Sequence, residues 1–308
     1  MSCCWYAEKG LVLPDSVTAR WNCIVALALA TRLRTRAALC VATAFAACIA
    51  PPVSDVSPQL RPVRFLLTFD DGPSLWQPYN PTSVVLDQLA RNAVQPQIKA
   101  VFFVQTRSPS AGGSPLGQEL LRRTRDEGHV LALHSGSARG HKNHRYLSPA
   151  ELDQSLADGI ADLHALTGRD PELVRPPYWS YDTRTQAAYR AHDLNMLLSD
   201  ISARDGKIWG WHISLRRRSH FRSNLEQVRR EIEIDRLPVV DGVVPVVVTF
   251  HDTNDFTASH MEEYLRILVE ESQRVGLPLA SQPFYDDAAS VERIAVLRSQ
   301  IGVYAGEP

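Results

Sequence analysis

Beyond Cys48 the 308-residue chain has no cysteine at all. The five it does carry, Cys3, Cys4, Cys23, Cys40 and Cys48, crowd into the first fifty residues. The remainder can therefore hold neither a disulfide nor a thiolate metal site, a composition that suits an exported protein folding without oxidation. Net charge is lacking too: the formal value is -1 and the pI about 6.8. No global field argues for nucleic acid, and the short Arg216-Arg217-Arg218 run reads as a solvated loop. A long uninterrupted apolar run is also missing. Ile24 to Ala30 and Ala37 to Ala50 are separated by Arg32, Arg34 and Arg36, which argues against one continuous membrane span.

What is present at the N-terminus has the charged-then-apolar layout of a secretory leader over residues 1–50, with Pro51-Pro52 opening a polar linker to residue 62. Phe45-Ala46-Ala47-Cys48 is close to a lipoprotein cleavage box, with Phe where Leu is usual. Cleavage there would leave Cys48 lipidated, whereas cleavage near Ala50 would release a soluble protein. The upstream apolar patch keeps a membrane anchor open. The expectation is export to a bacterial periplasm, envelope or medium, with membrane contact only through this leader or a lipid on Cys48.

With 44% hydrophobic and 22% charged residues, the whole chain fits one large globular domain or two small ones, and a single domain is expected over residues 63–308. It alternates apolar runs with helical patterns. Strands are expected at Val63–Phe69, Ala100–Val104, His129–Leu133, Leu173–Val174, Met196–Ser199 and Val243–Phe250, with Gly276–Gln282 the one candidate for a last strand. Helices are expected near Ser83–Arg91, Leu116–Glu127, Asp182–His192, Asn224–Leu237 and Thr257–Val275. The best marked helix opens on the capping box Ser148-Pro149-Ala150-Glu151 and stops before Gly168. Ala288–Ile301 reads as a C-terminal helix on the barrel exterior. Such alternation implies a parallel sheet with crossover helices, closed or open.

Chemistry gathers where apolar runs stop. Arg64 to Phe69 ends in Asp70-Asp71-Gly72-Pro73. Reactive groups collect at the carboxyl ends of parallel strands, and Gly72 and Pro73 break the strand so that both acids can face one site. After the third strand come His134, His141 and His144, and a hydrolytic metal site needs three protein ligands and an open position. Val246-Val247-Val248-Thr249-Phe250-His251-Asp252 repeats the pattern of a strand ending in an ionisable pair, and His suits proton transfer near neutral pH. Val174-Arg175-Pro176-Pro177-Tyr178-Trp179 supplies a guanidinium on a proline-stiffened loop.

Thr-Phe-Asp-Asp-Gly-Pro resembles the first motif of the polysaccharide deacetylases, the NodB-type carbohydrate esterases of family 4, and the resemblance runs from about Val63 to about Tyr285. It implies an α/β fold, a distorted (β/α) barrel of about seven parallel strands. It also implies removal of N-acetyl groups from an amino-sugar glycan through a divalent metal, for which zinc suits the ligands and cobalt or nickel would fit them. Carried across, Asp70 is the general base, Asp71 a metal ligand and His134 the second ligand. The family's next His is replaced by Ala138, so His141 or His144 must serve. His144 is favoured because the Arg-Tyr-Leu after it resembles what usually follows that histidine; His129 is expected to pack near its strand start. Arg175 would pair with and orient Asp70, the Tyr178 N–H would face a developing oxyanion, and Trp179, where Gly is usual, would narrow the site or stack on sugar. His251 would protonate the leaving group. Thr249 stands where a Leu usually lines the acetyl pocket. An acid should orient His251, and Asp200 and Asp205 both offer it, with Trp209 and Trp211 as an aromatic wall. Other readings of the same fold are a glycan-binding relic without catalysis and an O-acetyl, xylan-type esterase.

Overall fold

The structure is a computed structural model that describes residues 60–205 and 217–305. The leader with Cys48, most of the linker, Trp209 and Trp211 lie outside the described residues. Among the described residues no helix is long and apolar enough to cross a membrane.

Among the described residues eight strands are present: β1 (Val63–Asp70), β2 (Ala100–Gln105), β3 (Val130–Ser135), β4 (Leu173–Val174), β5 (Asn195–Met196), β6 (Ile201–Ser202), β7 (Val244–His251) and β8 (Leu279–Phe284). Every pairing between them is parallel, in the order β5-β4-β3-β2-β1-β7-β6, with β8 laid beside the start of β1. The seven-strand path curls into a half-barrel and leaves β5 and β6 as its two unpaired ends. The helices are α1 (Pro81–Ala90), α2 (Pro115–Asp126), α3 (Pro149–Thr167), α4 (Thr183–Ala191), α5 (Arg217–Glu233), α6 (Asp255–Ser259), α7 (Met261–Arg274) and α8 (Ala288–Ile301).

Side chains alternate across the sheet, and two apolar layers result. Phe65, Leu67, Phe69, Phe102, Leu131, Leu133, Val246 and Val248 face outward onto the crossover helices. Leu66, Val101, Phe103, Val130, Ala132 and Val247 face inward, where Val291, Ile294 and Ala295 of α8 cover them. The C-terminal helix therefore does not lie on the barrel exterior as expected. It fills the concave side, because a half-barrel leaves that apolar face open and burying it stabilises by ~25 cal/mol per Å². Along the same inward face, β1 continues to Thr68 and Asp70, β3 to His134, β4 to Arg175 and β7 to Thr249 and His251 (by the strand alternation). The concave face thus begins apolar under α8 and ends in the ionisable residues.

Element boundaries mostly agree within two or three residues. The capping box is formed: Ser148 Oγ accepts from the Glu151 N–H, and Gly168 ends α3 with φ 81°. The expected Thr257–Val275 helix is two, because Asn254 starts a short helix that closes at His260, and α7 begins there. β6 was not expected; two residues carry no periodicity. β8 lies a little later than expected, and it pairs with β1 at only two positions with a register shift between them.

Candidate active site

Asp70 is the last residue of β1 and pairs in register with His251, the last of β7. The chain then turns sharply. Asp71 has φ 74°, a left-handed value that costs a non-glycine residue about 1 kcal/mol or more. This turn lets two consecutive acids reach one site where a continuing strand would have split them between faces. Gly72 has to be a glycine, since a Cβ there would meet the Asp252 carboxylate at 2.3 Å.

Asp70 is buried, and its Oδ1 accepts from Arg175 Nη1 at 2.8 Å. Arg175 is wholly enclosed. Its Nη1 also donates to Thr68 Oγ1 at 2.7 Å, and its Nε and Nη2 donate to the carbonyls of Leu197 and Leu198. The guanidinium lies over Phe103 at 4.2 Å, with Trp179 at 4.9 Å. A buried cation held by this many acceptors is a fixed seat for the carboxylate beside it. Thr249 Oγ1 lies 2.8 Å from Thr68 Oγ1, so the hydroxyl that replaces the usual Leu joins the polar layer beneath Asp70.

Asp71, His134 and His141 form the one group among the described residues with the donor set and spacing to hold a metal ion. His134 Nε2 is 3.1 Å from Asp71 Oδ1 and 3.0 Å from His141 Nε2, and His141 Nε2 is 3.2 Å from the same carboxylate oxygen. Ligand bonds of 2.0–2.1 Å at tetrahedral angles place neighbouring donor atoms roughly 3.3 Å apart, so these residues fit a divalent ion. His134 Nδ1 donates to the Arg175 carbonyl at 2.8 Å, which aims Nε2 at the cluster as the atom that would ligate an ion. Burial pushes the Asp71 carboxyl up. The hydrogen bond and charge of His134, followed by the charge of His251, outweigh it and hold the group well below the usual carboxylate range. Burial, followed by the neighbouring His134, lowers His141 to about 4, so its imidazole is neutral and free to ligate.

His144, expected as the third ligand, is not in this group. It is fully buried, its Nδ1 lies 2.8 Å from the Tyr189 hydroxyl, and burial lowers it to about 3. The 3-10 turn that begins at His144 points its ring into the core, while Gly140, with φ 77°, turns the loop so that His141 faces Asp71. Sequence spacing could not distinguish the two histidines, because the loop is longer than the family pattern. His129 packs as expected, with its Nδ1 accepting from the Ala100 N–H and its ring edge-on to Phe102.

His251 stands on the other side of Asp71, its Nε2 4.0 Å from Asp71 Oδ2. Of the two candidate acids, Asp205 is the one beside it. Asp205 Oδ1 is 2.8 Å from His251 Nδ1, and its Oδ2 accepts the His251 backbone N–H and the Thr257 hydroxyl. Burial works to lower the His251 pKa, but the charge and hydrogen bond of Asp205, with further help from Asp71 and Asp70, push it up to about 10. Asp200 was offered for the same role and does not reach it. Its carboxylate accepts from Arg298 Nη2 and from the N–H groups of Val247 and Ala305. It belongs to the scaffold that anchors α8.

Tyr178 and Trp179 adopt left-handed backbones, φ 59° and 56°. The Tyr178 ring stacks on His141 with centroids 4.3 Å apart, and its hydroxyl donates to the His141 carbonyl. Asp252 was passed over by sequence reasoning. It is buried against Gly72, accepts from Thr82 Oγ1 at 2.7 Å and is pushed by burial up to about 7. Its position directly after His251 was the one available signal.

Residues 59–197 match the family model described as polysaccharide deacetylase. A chitin deacetylase of Pestalotiopsis sp is 32% identical over 119 residues, 39% of this chain and 35% of that protein. A chitin deacetylase of Colletotrichum lindemuthianum is 26% identical over 148 residues, 47% of this chain and 54% of that protein. The matched segments thus span between about a third and about half of those relatives. The solved structure of the chitin deacetylase from Colletotrichum lindemuthianum superposes with a TM-score of 0.50 at 20% identity, covering 72% of this chain and 86% of that one, which speaks for the fold. Residues 59–197, somewhat under half of the chain, thus carry the match to the polysaccharide deacetylase family, and the chain is similar to that family there.

Proposed function

We propose that the protein is a metal-dependent hydrolase that removes N-acetyl groups from an amino-sugar polysaccharide or oligosaccharide. One observation carries the reading: the Asp71–His134–His141 cluster lies between a carboxylate seated on a buried arginine and a histidine seated on a buried carboxylate. A divalent ion, for which zinc suits one carboxylate and two imidazoles, would supply Lewis-acid polarisation of the acetyl carbonyl. Asp70 takes the proton of the attacking water, its orientation fixed by Arg175. His251, held protonated by Asp205, gives a proton to the departing sugar nitrogen. The Tyr178 backbone N–H supports the developing oxyanion, and Trp179, with Trp209 and Trp211, offers faces for sugar. Acetate and a free amino sugar are the products. The chitin deacetylases among the relatives favour an N-acetyl substrate over an O-acetyl one. The leader fits export, with residues 63–308 as the catalytic domain.

The test is acetate release from chitin oligomers, peptidoglycan, poly-N-acetylglucosamine and acetyl-xylan, with and without added zinc, cobalt or nickel. Zinc-stimulated release from an N-acetylated polymer is expected. Release confined to acetyl-xylan would move the activity to O-acetyl esters, and no release with no retained metal would leave a glycan-binding protein.

A further inference from the structure

We infer that Gln105 is a positioning residue for the metal ligands, a role that rests on the metal-dependent reading above. Gln105 closes β2, which lies between β1, the strand that Asp71 follows, and β3, the strand that carries His134. It catches two consecutive carbonyls of the ligand turn. Its backbone N–H donates to the Gly72 carbonyl at 3.0 Å, and its side-chain Nε2 donates to the Asp71 carbonyl at 2.8 Å. The first bond is open to any residue except proline. The second requires a side-chain donor of this length, and an apolar residue ending the strand could not provide it.

The bond matters because of the backbone it holds. Asp71 adopts a left-handed conformation, which persists in a residue with a Cβ when its surroundings enforce it. With Nε2 turned to Asp71, Gln105 Oε1 faces the opposite way, towards the loop that supplies His141. A Cβ on Gly140 would stand 3.7 Å from that oxygen. Gly140 is the residue directly before His141 and has φ 77°. One buried amide thus sits between the turn that aims Asp71 and the turn that aims His141. Groups in this relation to ligands fix ligand direction, and their loss weakens metal binding.

The experiment compares wild type, Gln105→Leu and Gln105→Met, with His134→Ala as the ligand-deleted control. Zinc affinity is measured by competition with a chromophoric chelator, and thermal unfolding is followed without metal and with saturating zinc. In both Gln105 variants the zinc Kd is expected to rise by about 10- to 100-fold. The stabilisation that zinc adds should shrink accordingly. A residue that only supports the scaffold would lower the melting midpoint equally with and without zinc and leave the Kd unchanged, and that result overturns the inference. Failure of both variants to fold would overturn it as well, by making Gln105 a scaffold residue. A wild type that binds zinc no better than His134→Ala would instead overturn the metal reading beneath it.

Discussion

At the scale of single residues, the site is a set of paired seats, and each seat predicts a different loss. His141 offers Nε2 to the cluster while His144 bonds Tyr189 inside the core. His141→Ala should therefore strip most bound metal from a folded protein. His144→Ala should retain metal and lower stability, since it removes a buried ring and one hydrogen-bond partner of the Tyr189 hydroxyl, at a cost of about 1–3 kcal/mol. Metal content by emission spectrometry, beside thermal unfolding, separates the two, and the reverse pattern would return the ligand role to His144. Asp70 is not among the clustered donors, so Asp70→Asn should keep its metal and lose activity by about 100-fold or more, as when a general base is removed. Near-normal acetate release by that variant would mean that another group activates the water. Much of this set was legible in the sequence. Asp70, Asp71, His134, Arg175 and His251 each lie within one residue of the end of a strand, where side-chain direction follows from the pleat. The third histidine was not legible, because its direction depends on two turns in a loop with no periodicity. Nor was the choice between Asp200 and Asp205, which lie five residues apart around a two-residue strand.

The elements explain why those two acids diverge. β6 is so short that Asp200, just before it, and Asp205, just after it, leave opposite ends of the same strand. Asp205 goes with the carboxyl ends of the strands, where His251 is. Asp200 goes with the interior, where α8 closes the concave face and Arg298 meets it without exposure to solvent. That helix was read from its sequence with the right bounds and placed on the wrong side. Its apolar stripe says that it packs, and only the open half-barrel says against what. Asp200 therefore predicts a stability effect with no chemical one. Asp200→Ala leaves the Arg298 guanidinium buried without its carboxylate and should cost about 3–5 kcal/mol. Denaturant unfolding measures this, and turnover per folded molecule should stay near that of the wild type. A selective loss of turnover in a fully stable Asp200→Ala protein would put Asp200 back at the site.

For the molecule as a whole, the formal charge of -1 means that pH acts through particular groups and little through global repulsion. Among the shifted groups that line the site, Asp71, Asp252 and His251 have windows that differ. Asp71 is held low, so its contribution is present above about pH 4, near the ordinary value of a free carboxyl, and is lost only in acid. Asp252 is raised to about 7 by burial, so it opposes folding increasingly as pH rises from 3.8 to about 7 and is constant thereafter. His251 is raised to about 10 from an ordinary value of 6.5. A raised histidine stabilises fully below 6.5 and loses that contribution as pH climbs through its folded value. Between pH 7 and about 10, His251 is thus the one of the three still titrating. Metal-free protein should lose stability steadily across this interval, and Asp205→Asn should flatten the slope, since the Asp205 charge and hydrogen bond are the chief causes raising His251. Urea unfolding at a series of pH values gives both slopes. If Asp205→Asn loses stability with pH as steeply as the wild type, then Asp205 does not hold the proton on His251.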